Sequence, residues 1–263
     1  MKPLLPWVDI LLDNVKKEYA TPSPKWKRVA PVDTDFAYVK SILDSPSGFS
    51  SDYFIKEVIT SGFPLKKFVS NNIEFLIFSE SMNAIPLTVW FHIARLLGKK
   101  NHVRVVYFGN LQKRVHPKQK KPIEPIHING GYTNSCNFST IVIYREEDST
   151  RVLIHELLHA SCSDPRTSVP FVEADTEAWA EVIYCAIKAK GVKKEWESCM
   201  EKQLKYASEQ TQYATNVHNV KTPNDYAWRY INGRLKVWEA IGFKIPYALQ
   251  KKHSSLRLTY TDI

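Results

Sequence analysis

Apolar positions recur along this chain with two different periods. Over the first seventy residues they fall at helical spacing in short blocks. One block is Trp7–Tyr19, a second comes after Asp33 with Phe36, Val39, Ile42 and Leu43, and a third after Ser51. Thr21-Pro22-Ser23-Pro24 is a joint between the first helix and the rest of the chain. The middle then changes character: Ile73–Phe78 predicts a buried strand, Leu87–Leu97 a helix and His102–Phe108 a β-branched strand. After a Pro-bounded loop over Asn110–Pro125 come two predicted short strands, Ile126–Ile128 and Thr140–Tyr144, separated by a Gly130-Gly131 turn. From Ser149, the expected N-cap behind Glu146-Glu147-Asp148, the pattern is helical. Helices are predicted near Arg151–Ser161, Phe171–Ala189, Lys194–Asn216 and Asn224–Ile241. A small mixed sheet followed by helices is an α+β arrangement. The expected division is a helical region over 1–70, a core over 71–190 and a helical subdomain over 191–263 packed on that core.

Composition adds little to this picture, and charge adds more. At 44% hydrophobic and 24% charged, the 263 residues are those of a globular protein. The net charge of +9 sits in one place. Between Glu80 and Glu124 there is no acid, yet Arg95, Lys99, Lys100, Arg104, Lys113, Arg114, Lys118, Lys120 and Lys121 stand there. The remainder of the chain is balanced. The apolar opening is broken by Pro6, Asp9 and Asp13, so no secretory signal is expected. The most apolar run, Ile85–Leu97, is interrupted by His92 and Arg95 and is too short to span a bilayer, so no membrane partner is expected. Cys136, Cys162, Cys185 and Cys199 form no Cys-x-x-Cys pair. The expectation is an intracellular protein, cytoplasmic or nuclear, with reduced and mostly buried thiols and no disulfide framework.

One stretch carries chemistry: His155-Glu156-Leu157-Leu158-His159. On a helix, residues i and i+4 share a face, so both imidazoles reach one metal ion. Glu156 lies about 100° around from His155, beside the metal, where it can take a proton from a zinc-bound water. Such a string arises by chance in roughly 1–2% of shuffled chains of this composition. Chance matches rarely fall on an apolar helix that follows a strand, as this one does after Ile141–Ile143. The expected cofactor is therefore one Zn2+ per chain. Catalytic zinc usually takes three protein ligands, and the next histidine after His159 is His218, too far on to extend the motif. Glu173, Glu177 and Glu181 repeat at i+4 and line one helix face. Either they form a solvated acidic face, or one is the third ligand and another steadies a zinc histidine. Glu173 is the preferred ligand and Glu177 the outer partner, with the two roles open to exchange. Cys162 is close enough in sequence to approach the metal, although a small buried thiol is the commoner role.

On these residues the chain resembles the gluzincin metallopeptidases, the thermolysin-like branch of the zincins. That resemblance pairs the His-Glu-x-x-His helix with a glutamate on a later helix, and Glu173-Ala-Asp-Thr-Glu177 matches the setting. The gap from His159 is shorter than in the best-known members; the usual longer gap would make Glu177 the ligand. The resemblance implies a zincin-like α+β fold over about residues 73 to 190. It also implies an edge strand that binds extended peptide, in the place of His127–Thr133, with Asn129, Gly130 and Gly131 letting a substrate backbone approach. Asn129-Gly130 is equally a hairpin turn. It further implies a Tyr or His from the C-terminal helices that stabilises the oxyanion, for which His218, Tyr226 and Tyr230 are the candidates. Arg229 and Arg234 are either substrate-carboxylate binders or surface charges. The run from His127 to His159 is also similar to uncharacterised zincin-like proteins of large DNA viruses.

Together these features point to a zinc-dependent peptidase in which Glu156 activates water. Two alternatives are a protease acting on nucleic-acid-bound proteins and a non-catalytic zinc-binding interaction protein. The basic loop has the charge for nucleic acid, but no aromatic interleaves with its lysines, so base stacking is unsupported. Lying just before the expected edge strand, the loop is read instead as steering an acidic peptide or protein substrate towards the site.

Overall fold

The continuous apolar runs in the middle of the chain form the centre of a six-stranded mixed sheet. The computed structural model describes residues 6–44, 51–118, 120–164, 167–247 and 255–261. These fall into two units, one made of Ser23–Lys113 and Asn129–Ser163, the other of Met1–Pro22, Arg114–Ile128 and Asp164–Ile263.

The first unit holds β1 (Lys27–Val29), α2 (Asp33–Asp44), α3 (Ser51–Thr60), β2 (Lys66–Ser70), β3 (Ile73–Phe78), α4 (Leu87–Gly98), β4 (Val103–Phe108), β5 (Gly131–Tyr132), β6 (Ile141–Ile143) and α6 (Ser149–Ala160). Sheet order is β1-β2-β3-β4-β6-β5. The central pairs β3/β4 and β4/β6 are parallel, and the outer pairs are antiparallel. Parallel strands are covered on both faces and read as unbroken apolar runs. Leu76, Phe78, Val106, Phe108 and Val142 face α2 and α3 through Val39, Ile42, Phe54, Ile55 and Val58. On the other face Phe75 meets Trp90 and Phe91 of α4, and Tyr107 meets Trp90 edge-on.

The other unit is helical: α1 (Pro6–Ala20), α5 (Pro125–Ile128), α7 (Val169–Lys188), α8 (Lys193–His218) and α9 (Arg234–Ala240). A 3-10 turn over Tyr226–Trp228 and a π-helical turn over Arg229–Gly233 precede α9. Among the described residues no helix is long and apolar enough to cross a membrane.

Three expectations need correction. Ile126–Ile128 is helical: Glu124 caps the turn by accepting from the His127 amide, and buried Arg114 donates from Nε to the Ile128 carbonyl at 2.6 Å. Gly131 is not the turn but opens β5. The predicted continuous helix Asn224–Ile241 is broken by the 3-10 and π turns. In addition, β1 and β2 escape a periodicity reading because charged residues interrupt them.

Lys67 of β2 is one of these. It donates to both oxygens of buried Asp35 at 2.8 and 3.0 Å and pairs with Glu74 at 3.0 Å, while Arg104 pairs with Glu74 from β4. Burial alone would raise the Asp35 pKa, but the bonds from Lys67 and the Val32 amide outweigh it and hold the carboxyl below its ordinary range. Asp35→Asn should cost roughly 2 kcal/mol in urea unfolding at neutral pH. A carboxylate with a lowered folded pKa stabilises above its unfolded value and loses that contribution as pH falls. The gap between variant and parent should therefore narrow below about pH 4; a gap that stays constant would contradict the ionised pair.

Candidate metal centre

The helix α6 follows β6 directly and lies on the sheet face shared with α4. Its start is set by Asp148, whose backbone is left-handed (φ 61°) and whose carbonyl accepts from the Val152 amide at 2.9 Å. Ser149 is thus the first helical residue, one position later than the cap role expected of it. Trp90 of α4 donates from its indole to Thr150 Oγ1 at 2.9 Å, which pins the first turn. Val152, Leu153, Ile154 and Leu157 are buried, and every residue of α6 except Leu158 is buried.

That burial includes the motif. His155, Glu156 and His159 are 6%, 4% and 7% exposed. The two Nε2 atoms stand 3.0 Å apart and the rings are inclined at 76°. Two nitrogens at the usual zinc distance of about 2.0–2.1 Å on a tetrahedral ion are separated by roughly 3.3 Å. The pair therefore has the spacing of two ligands on one ion, as the i, i+4 pattern requires.

Beside this helix runs the edge strand. Gly131 and Tyr132 of β5 pair with Ile143 and Val142, and the Gly130 carbonyl accepts from the Tyr144 amide at 2.8 Å. A Cβ on Gly131 would lie 2.6 Å from Val152 Cγ1, 2.9 Å from the Val142 carbonyl oxygen and 3.1 Å from Glu156 Oε1. Glycine is required there by close approach, and the approach brings β5 up to Glu156 itself. The Asn129 carbonyl is held by Nε of buried Arg145 at 3.1 Å, and the Arg145 guanidinium lies over the Phe54 ring. Asn129, Gly130 and Gly131 thus lead into and form the edge, shorter than the His127–Thr133 span expected.

The end of α6 carries a feature that the cysteine spacing did not announce. Cys136 and Cys162 are joined in a disulfide, which corrects the expectation of four reduced thiols and of Cys162 as a buried thiol or metal neighbour. Both amides donate to the His159 carbonyl, at 3.0 and 3.3 Å, and this shared acceptor brings the two cysteines together. Cys185 and Cys199 are free and buried, as expected.

In the helical unit, Glu173 is half-buried, Glu177 is 1% exposed and Glu181 is fully buried, so the stripe is not a solvated face. Glu181 accepts from Thr259 Oγ1 at 2.9 Å. Tyr226 and Tyr230 place their hydroxyls 3.2 Å apart. Burial pushes the Tyr230 phenol well above its ordinary pKa, and the charges of Glu173 and Glu177 and the contact with Tyr226 add to the rise. Tyr230 is thus held as an O–H donor beside two of the predicted carboxylates. It sits on the π turn, a device recurrent at functional sites. Gly233, which ends that turn, lets it settle on α7: a Cβ there would be 2.7 Å from Ala174 Cβ.

The remaining candidates go elsewhere. The His218 ring stacks on His116 at 5.0 Å, with Nδ1 2.9 Å from the Lys121 carbonyl. Arg229 lies over the Tyr226 ring. Arg234 is fully buried and donates to the Leu258 carbonyl and Gln210 Oε1, so it is neither a surface charge nor a substrate binder. Of the acid-free segment's bases, Arg104 and Arg114 are committed to Glu74 and Ile128, whereas Lys113, Lys118, Lys120 and Lys121 are exposed.

No protein-family model, curated protein or solved structure matches this chain. The chemistry of the site therefore rests on its own residues. Gly131→Ala should cost about 1–3 kcal/mol through overpacking against Val152 and the Val142 backbone, measured by thermal or urea unfolding. An unchanged midpoint would show that β5 is not seated on α6.

Proposed function

We propose that this protein is a zinc-dependent metallopeptidase of zincin type that hydrolyses peptide bonds. The observation that carries the reading is the buried His155/His159 pair, with Nε2 atoms 3.0 Å apart and Glu156 between them on one helix. The donor chemistry fits zinc, which favours imidazole nitrogen with carboxylate oxygen. As the resemblance to the gluzincins implies, Glu173 is assigned as third ligand and Glu177 as the partner that orients a ligand histidine. A helix following the parallel part of a sheet, beside an antiparallel edge strand, supports the zincin-like assignment.

Bound zinc would supply Lewis acidity towards the scissile carbonyl and acidify a water molecule. Glu156 is the residue that would accept a proton from the attacking water and return it to the leaving amine. The outer edge of β5 adds the substrate as a further strand through main-chain hydrogen bonds, with Gly131 allowing the backbone to come close to Glu156. Tyr230, kept protonated at neutral pH, donates a hydrogen bond to the developing oxyanion, with Tyr226 orienting it. Lys113, Lys118, Lys120 and Lys121 favour a substrate with acidic residues.

Glu156→Gln should retain about one zinc per chain while cleavage falls roughly 10²–10⁴-fold; unchanged cleavage would sink the mechanism. Glu173→Ala should abolish tight zinc binding, whereas Glu177→Ala should weaken it only about 10–100-fold. Inverted effects in a competitive chelator titration would exchange the two roles. Charge reversal at Lys118, Lys120 and Lys121 should lower kcat/KM for acidic peptides about tenfold and leave neutral ones alone. Equal effects on both peptide types would return the lysines to a merely solvating part.

A further inference from the structure

The disulfide lies where it can act on the candidate centre. The chain it closes, 26 residues in separation, contains β6 and the whole of α6, including His155, Glu156 and His159. Both cysteines are exposed. Both are also left-handed, with φ of 63° and 57°, a conformation that a non-glycine residue seldom keeps unless its surroundings hold it. Their amides converge on the carbonyl of His159, the last residue of the motif.

The loop on the other side of the bond runs on from β5. Its far half is anchored independently, because the Arg104 amide donates to the Phe138 carbonyl at 2.9 Å and Tyr38 Oη to the Ser139 carbonyl at 2.7 Å. Its near half, Asn134–Cys136, is exposed and turns back on itself, with the Asn137 amide donating to the Asn134 carbonyl at 3.1 Å. The disulfide is therefore the covalent tie between the tip of this loop and the last turn of α6.

We propose that the Cys136–Cys162 disulfide is a redox-operated clamp on the C-terminal end of α6, which holds His159 in place when oxidised and loosens it when reduced. A dithiol reductant of the thioredoxin class would operate it. One of its thiolates attacks an exposed cysteine sulfur, the S–S bond breaks, and the other cysteine leaves as thiolate. The reductant's second thiol resolves the mixed disulfide. The chain gains two electrons and two protons, and the reductant is oxidised to its own disulfide. The clamp follows from the fold alone; its consequence for metal retention rests on the proposed zinc site.

The test compares the oxidised full-length protein, the same protein reduced with thioredoxin and freed of it, and Cys136→Ser/Cys162→Ser, with circular dichroism to verify folding. Amide hydrogen exchange over 134–136 and 159–162 should quicken about tenfold or more on reduction. The double variant should exchange at the fast rate with or without reductant. Zinc transfer from loaded protein to a chelating dye should accelerate in the same order. Unchanged exchange at those amides in the reduced protein would overturn the clamp, whether or not zinc is held. Faster exchange in a protein that never held zinc would uphold the clamp and defeat the metal reading. Reduction of the parent chain serves as the test even if the double variant fails to fold.

Discussion

The helix from Ser149 to Ala160 has to bury two imidazoles and a carboxylate without losing its place on an apolar sheet. Burying polar groups is costly unless partners or a ligand compensate, and here the motif is buried along with nearly every other residue of its helix. The rest of the first unit is arranged around that demand. The indole of Trp90 fixes the helix start, β6 leads straight into it, Gly131 lets β5 lie against it, and the disulfide ties down its end. The two imidazole Nε2 atoms stand 3.0 Å apart in these surroundings.

The helical unit meets a similar difficulty with carboxylates. Glu177 and Glu181 are buried on α7, and successive turns of that helix are met by polar groups from later in the chain. Trp238 and Trp196 donate their indoles to the Ala178 and Val182 carbonyls, and Thr259 donates to Glu181. The π turn brings the Tyr230 phenol to Glu173 and Glu177, where its raised pKa keeps it a donor. The acidic stripe of α7 thus stands beside an un-ionised phenol within the helical unit.

Much of this was legible in the residues themselves. The i, i+4 histidines, the unbroken apolar strands β3 and β4 and the long helices announced their structure because burial imposes a period. The features that stayed hidden depend on partners distant in sequence. Lys67 reads as a surface residue until Asp35 and Glu74 are placed around it. The β-branched residues at Ile126 and Ile128 suggest a strand, and a buried arginine and a backbone cap decide for a helical turn instead. Arg234 looks like a surface cation, but it holds the C-terminal segment through the Leu258 carbonyl. Cys136 and Cys162 show no pairing signal, since only the fold of β6 and α6 brings them to one carbonyl.

The basic segment illustrates the same division between sequence and structure. Its charge excess is real, yet Arg104 and Arg114 serve the fold, while Lys113, Lys118, Lys120 and Lys121 stand exposed. Chemistry at the proposed centre depends first on whether α6 holds a metal. Anomalous diffraction at the zinc edge, from crystals grown with zinc, asks that directly. One peak within about 2.0–2.2 Å of His155 Nε2, His159 Nε2 and a glutamate oxygen is the expected result. An ordered helix with no peak between the two imidazoles would contradict a metal centre here.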